Sequence, residues 1–342
     1  MTSIADVTQL ESMLSGPTDA VIESLGRLDG DMVVAGVGGK MGPTLARMVR
    51  RAWDASGHRG RVYGVSRFSD RGLPERLRAH GVEPIEADLL DPGQVALLPN
   101  AANVVAMTGQ KFGTSRGQAA ETWAVNVVSA ALLGHRYRSS KIVAFSTGNV
   151  YPLVPVDLKG SRETDRTGPI GEYAMTALGR ERIYESISTK YQTKIAIIRL
   201  NYASEPRYGV LVDLARKVMN GEVIDLTMGH VNTIWQGDAN ALALRAFDHV
   251  ASPPEVFNLT GPDVLSVREI AERLGRHLGK APLFRGNEAP DALLNNPGKA
   301  FAVLGRPRVT WEEMTAWVAE WLARGGPLLD KPTKFDVRDG RF

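Results

Sequence analysis

The stretch Met32-Val-Val-Ala-Gly-Val-Gly-Gly-Lys-Met-Gly42 narrows the folds open to this chain more than any other. Met32 to Ala35 is apolar at every position, the pattern of a parallel strand buried on both faces. Glycines follow at 36, 38, 39 and 42, and then a helix-like segment from Pro43 to Trp53. Strand, glycine-rich turn and helix bring unpaired backbone N–H groups and the positive end of a helix dipole to one point, where a pyrophosphate can be held. Side chains in that turn would keep the backbone away from the phosphates, and the last glycine lets helix and strand pack closely. A crowded tight turn also selects glycine, so the next element decides. Arg61-Val-Tyr-Gly-Val65 reads as a second strand and completes a β-α-β unit of about 30 residues. The unit is read as a dinucleotide site, with Gly36, Gly39, Lys40, Met41 and Gly42 in its loop.

A site for NAD usually carries an acidic residue at the end of that second strand, on the ribose 2′-hydroxyl. Ser66 and Arg67 stand there instead and can receive the 2′-phosphate of NADP, although an arginine after a strand is also an ordinary solvated residue. NADP is the expected cofactor, with NAD left open. A third strand, Val82–Ala87, ends in Asp88-Leu89, and a fourth, Asn103–Met107, ends in Thr108-Gly109. Both are carboxyl ends, where a doubly wound sheet presents ligands. A helix is expected from Thr114 to Leu133 with Asn126 inside it, then a fifth strand from Lys141 to Phe145.

Composition removes several alternatives. The 342 residues suffice for a large core in two lobes. No apolar run approaches the ~20 residues of a membrane span. Cysteine is absent, which removes disulfides, thiol nucleophiles and thiolate ligands. The six histidines are scattered singly, so no metal site is expected. A net charge of +3 on scattered basic residues does not call for a nucleic-acid partner, despite a pI of 9.1. The first residues lack the basic flank and apolar stretch of a signal peptide. A soluble cytoplasmic protein with no membrane partner is the expectation.

These elements resemble the extended short-chain dehydrogenase/reductase family, which includes nucleotide-sugar epimerases and dehydratases. Gly36-x-x-Gly39-x-x-Gly42 has its glycine spacing, Asp88-Leu89 its adenine-contacting pair and Asn126 its helix asparagine. Phe145-Ser-Thr-Gly-Asn-Val-Tyr151 is similar to its strand end, Glu163-Thr164 to its Glu-Thr loop and Ile198-Arg-Leu-Asn201 to its Arg-Pro-x-Asn segment. Phe257-Asn-Leu-Thr-Gly261 with Ser266-Val267 is similar to a further stretch, so that the likeness runs from Met32 to about Ala323.

The resemblance implies an α/β fold, a doubly wound (Rossmann) parallel sheet with a smaller C-terminal substrate lobe. The expected division is a helical cap over 1–30, a dinucleotide-binding domain over 31–200 rejoined by 231–262, and a substrate lobe from 201–230 and 263–342. It also implies a homodimer, a sugar or polyol substrate, and hydride transfer at a nicotinamide. In the family a Ser or Thr at a strand end and the tyrosine of Tyr-x-x-x-Lys carry the chemistry. The lysine binds the nicotinamide ribose, and its charge lowers the pKa of the tyrosine. Thr147 and Tyr173 hold those positions, but position 177 is alanine. The lysine is missing.

Lys111, in the loop after the fourth strand, is the first candidate to replace it in space, ahead of Arg180 and Arg182. The formal match Tyr137-Arg-Ser-Ser-Lys141 precedes the fifth strand and belongs at the wrong edge of the sheet. Sugar dehydratases of the family carry Asp-Glu after the strand-end hydroxyl. Gly148-Asn149 stands there, which favours oxidation–reduction or epimerisation, with Asn149 and Tyr151 as hydrogen-bonding groups for a polyol. Asn201 and the loop after it, to Tyr208, are expected to meet substrate. Asp238 is read as a helix N-cap, and the tail from Lys331 to Phe342 as a loose arm or dimer contact. The rival reading is a non-catalytic NAD(P)-binding sensor.

Overall fold

The structure is a computed structural model that describes residues 3–111 and 118–341. The start of the helix expected from Thr114, and Phe342, lie outside the described residues. Seven parallel strands form the central sheet: β1 (Met32–Ala35), β2 (Val62–Ser66), β3 (Val82–Glu86), β4 (Asn103–Ala106), β5 (Lys141–Thr147), β6 (Ile195–Leu200) and β7 (Glu255–Leu259). Their order is β3-β2-β1-β4-β5-β6-β7, so the chain reverses direction across the sheet between β1 and β4. A crevice for ligands opens at the carboxyl ends there.

Successive strand residues point to opposite faces, and the sheet sorts its apolar side chains accordingly. Val34, Val105, Val143, Ile198 and Phe257 enter one buried cluster, with the helices on that face, including α2 (Asp19–Gly26) and α3 (Gly42–Ser56). Val33, Val104, Ile142 and Ile197 enter a second, against Leu133, Tyr137 and Tyr184. Each fully buried valine or isoleucine contributes about 1.5–3 kcal/mol. This two-sided burial explains why the strands read as continuous apolar runs rather than alternating ones.

A third cluster fills the substrate lobe, from helices Val210–Asn220, Val267–Leu278 and Trp311–Ala323. Trp235 and Trp317 meet there edge to face at 5.1 Å, which accounts for both as packing. The N-terminal segment is divided between the lobes. Helix α1 (Val7–Leu14) buries Leu10 and Leu14 in the substrate-lobe core, whereas α2 buries Val21 and Leu25 on the Rossmann sheet.

Two expectations are corrected. Asp238 does not cap its helix, Gln236–Arg245, but lies inside the first turn and accepts from the backbone N–H groups of Arg308 (2.8 Å) and Val309 (2.9 Å). The tail is not loose. Phe335 is buried in the substrate-lobe core, and the Arg338 guanidinium donates to the carbonyl of Asp291 at 3.0 Å. Tyr137 and Lys141 sit at the amino end of β5, away from the crevice, with the Tyr137 hydroxyl on the Pro99 carbonyl.

Candidate active site

A cleft of about 720 Å³ lies at the carboxyl ends of the strands, between the two lobes. Its floor begins with the glycine loop. Gly36 has φ +86°, and a Cβ there would lie 2.8 Å from the backbone nitrogen of Thr108 on the neighbouring β4 loop. A Cβ at Gly42, in the first turn of α3, would lie 2.2 Å from the carbonyl oxygen of Val37. Both positions therefore require glycine, and the loop presents bare backbone to the cleft at a helix N-terminus. Gly36, Gly39, Lys40, Met41 and Gly42 all line it.

Ser66, Arg67, Asp88 and Leu89 line one end of the cleft. Arg67 is exposed, whereas the acidic groups near it are engaged elsewhere. Asp70 pairs with Arg76, and Glu86 with Arg71 at 3.2 Å. The next residue, Phe68, is buried with φ +46°. A bulky side chain is rare in that region of backbone space, and such strain collects at ligand-binding loops.

Met107, Thr108, Gly109 and Lys111 line the middle, facing Thr147, Asn149, Tyr173 and Asn201. Strand β5 runs two residues past the expected Phe145, so Thr147 is its last residue. The Thr147 Oγ1 accepts from the backbone N–H of Asn149 (3.3 Å) and from its Nδ2 (3.0 Å). With both acceptor positions used, its own O–H is the group left to donate. Tyr173 lies half-buried in the first turn of the long helix Gly171–Tyr191.

Ala177, one turn further on, is fully buried against Val150 and Tyr151. Two turns on from Tyr173, Arg180 lines the cleft and donates to the Phe145 carbonyl at 2.7 Å, while its Nε has no hydrogen-bond partner among the described residues. Burial pushes its guanidinium below the ordinary arginine pKa, and the nearby Tyr173 is first among the groups opposing that shift. Arg182 is on the outside, paired with Glu185. The Lys111 ammonium donates to the carbonyl of Thr333 (2.9 Å) and stands 5.8 Å from the centre of the Tyr173 ring.

Two residues assigned from the sequence do not line the cleft. Asn126 lies in a π-helical turn, Ala124–Val128. Its amide clasps the backbone of Gln110 in both directions (2.8 and 3.0 Å) and donates to Thr176 Oγ1 (2.8 Å), which in turn donates to the Tyr173 carbonyl (2.8 Å). It fixes the loop after β4 to the helix of Tyr173. Tyr151 is buried, its hydroxyl donating to Asn258 Oδ1 (3.0 Å) and accepting from Arg199 (2.6 Å). Arg199 is in turn paired with Glu181 at 2.7 Å, so this tyrosine belongs to a buried network between β5, β6 and β7.

Sequence reasoning missed Lys331 and Thr333, which the tail brings to the cleft, and gave Tyr202 and Tyr208 no role of their own. No local signal marks them. The replacement of Asp-Glu by Gly148-Asn149 also has a steric side: a Cβ at Gly148 would lie 2.5 Å from Asn295 Oδ1. An aspartate there would need Asn295 to move.

The family model for the NAD dependent epimerase/dehydratase family matches residues 32–259. The chain belongs to that family. The resemblance read from the sequence is thereby borne out, and with it an enzyme of an NAD-dependent epimerase/dehydratase family. No curated protein sequence gives a match. Among solved structures, the UDP-glucose 4-epimerase of Thermotoga maritima with UDP-glucose is similar at 18% identity and TM-score 0.69, covering 86% of this chain and 99% of that one. MoeE5 in complex with UDP-glucose and NAD is similar at 22% identity and TM-score 0.70, again over 86% and 99%. The dTDP-glucose 4,6-dehydratase DesIV of Streptomyces venezuelae with NAD bound gives 18% identity and TM-score 0.71, over 86% and 97%. These likenesses establish the shared fold. No described group of His, Asp or Glu could hold a metal ion, and no described helix is long and apolar enough to cross a membrane.

Proposed function

We propose that the cleft binds NADP beside a sugar or related polyol and catalyses oxidation–reduction or epimerisation rather than dehydration. The observation that carries this reading is the meeting of the glycine loop, Thr147 and Tyr173 in one cleft. Gly36 and Gly42 let the loop close against the backbone of Thr108 and Val37, so that bare backbone lines the cleft for a pyrophosphate, and Arg67, exposed and without a partner among the described residues, offers its guanidinium to the 2′-phosphate. The bound nicotinamide supplies the hydride chemistry.

The protein's part is position and charge. Tyr173 gives a proton to a substrate oxygen or takes one from it, and the Thr147 hydroxyl donates to the same oxygen. Arg180, fixed by the Phe145 carbonyl, supplies the cation that position 177 lacks and stabilises negative charge as it develops on the tyrosine oxygen. Asn149 and Asn201 take substrate hydroxyls. The absence of a carboxylate at 148 and 149 supports simple redox chemistry or epimerisation. A homodimer is in keeping with the family resemblance and is checked by sedimentation.

The test is a titration with NADPH and NADH, followed by nicotinamide fluorescence, for the wild type and for Arg67→Ala. NADPH is expected to bind more tightly, by roughly tenfold or more, and the variant to lose that preference. Equal affinities, unchanged in the variant, return Arg67 to the solvent and the cofactor to NAD.

A further inference from the structure

Gln236 comes from the far half of the chain, yet it lines the cleft together with the glycine loop. It opens helix Gln236–Arg245, which ties the two lobes to each other. Trp235 before it is packed in the substrate-lobe core, and Ala239 after it in the core on the Rossmann sheet. Gln236 itself is 1% exposed. Its Nε2 donates to Thr44 Oγ1 at 3.2 Å, and the Nδ2 of Asn240, one turn on, donates to the same oxygen at 3.2 Å. The Thr44 hydroxyl in turn donates to the Met41 carbonyl at 3.1 Å.

A hydroxyl has one proton and two lone pairs, so Thr44 is saturated. Gln236 is not. A primary amide carries two N–H donors and an oxygen with two lone pairs, and the bond to Thr44 is the only one its side chain makes among the described residues. An amide buried to this degree is normally paired, and the open side of this one is the cleft. Thr44 is the third residue of α3, a helix whose first N–H groups have no partner within it. The N-cap residue, Met41, makes no side-chain hydrogen bond to them. A helix start of this kind is satisfied by an anion, and the glutamine stands beside it with a donor to spare.

We propose that Gln236 donates an N–H to the pyrophosphate of the bound cofactor, and that Thr44 orients it for that contact. A half-turn of the amide brings Nε2 to the cleft and Oε1 to Thr44. The Thr44 hydroxyl then donates to Oε1 in place of the Met41 carbonyl, while Asn240 continues to donate to Thr44. The Met41 carbonyl is not stranded, since it also accepts from the Leu45 N–H at 3.0 Å. The exchange therefore leaves no buried group without a partner. It rests on the reading of the cleft as a dinucleotide site, and it adds to that site a residue of the helix that joins the lobes.

The test compares the wild type with Gln236→Leu and Gln236→Glu. NADPH and NADH are titrated by nicotinamide fluorescence, and urea midpoints are taken on the free proteins. Gln236→Leu is expected to weaken both cofactors alike, by about tenfold, with its urea midpoint unchanged. Gln236→Glu is expected to bind both more weakly still, because its carboxylate repels the phosphates. Wild-type affinity in either variant overturns the proposal. A loss in Gln236→Leu that comes with a lower urea midpoint, and that Gln236→Glu does not exceed, also overturns it, because the glutamine then only supports the fold. Gln236→Met, which keeps the length of the side chain without its amide, stands in if Gln236→Leu fails to fold. If the wild type binds neither cofactor, the reading of the cleft fails instead. The same comparison with inorganic pyrophosphate, by calorimetry, then decides the part of Gln236: no binding, or equal binding by the variants, overturns the proposal as well.

Discussion

Ala177 is more than the absence of a lysine, because its place has been filled. The position has no exposed surface and sits against Val150 and Tyr151. An ammonium introduced by Ala177→Lys would be buried in an apolar place, and the free energy of denaturant unfolding is expected to fall by about 2–4 kcal/mol, with no gain in turnover. Arg180→Ala is expected to lower kcat by about 100-fold with circular dichroism unchanged, and Arg180→Lys to restore part of it. The alanine could be read from the sequence, which put Lys111 ahead of Arg180 as its substitute; that Arg180 lines the cleft, held by a bond to Phe145 on another element, could not. Lys40 gives a second prediction at this scale. Its folded-state pKa of about 7 lies below the ordinary lysine value of 10.5, first because it is buried and then because of the charges of Lys111 and Lys331, with Asp213 opposing. Between those values the unfolded chain holds more protons, so the free protein should gain stability as pH rises from about 7 towards 10. Urea midpoints across that range should climb for the wild type and much less for Lys40→Met.

Elements built from local pattern were legible, and those built from distant contacts were not. The strand, glycine turn and helix of Met32–Ser56 follow from an apolar run, glycine geometry and a proline at the start of a helix, all within one short stretch. The π-helical turn at Ala124–Val128 has no such signature. It arises where Asn126 must reach both the Gln110 backbone and Thr176, and π turns often mark functional sites. Asn126→Ala would leave the Gln110 backbone unpaired, and a loss of about 1–3 kcal/mol in stability is expected from denaturant unfolding. Because that clasp also holds the turn of Tyr173, kcat should fall by more than cofactor affinity does. Asp238 teaches the same lesson in reverse. Its place at the start of a helix suggested a cap, but its carboxylate serves Arg308 and Val309, some seventy residues further on.

Across the whole molecule, distant elements are joined by contacts that no window of sequence contains. The buried pair Glu181–Arg199, with 1% and 5% of its side chains exposed, joins the Tyr173 helix to β6, and Arg199 passes the connection to Tyr151 and Asn258 on β7. Glu181→Gln strands a buried guanidinium and is expected to cost about 3–5 kcal/mol in denaturant unfolding. The tail makes the longest of these connections. Thr333 meets Asp213 and Lys111, Phe335 enters the substrate-lobe core, and Gly340 packs so closely on Gly171 that a Cβ there would lie 2.5 Å from its carbonyl oxygen. The segment thus reaches from the substrate lobe to the start of the helix that carries Tyr173. A ribosome makes the glycine loop some three hundred residues before this segment, so the nascent chain can hold its first β-α-β unit long before one wall of the cleft has been synthesised. The complete pocket comes into being only after that segment has emerged, and until then the cleft lacks a wall.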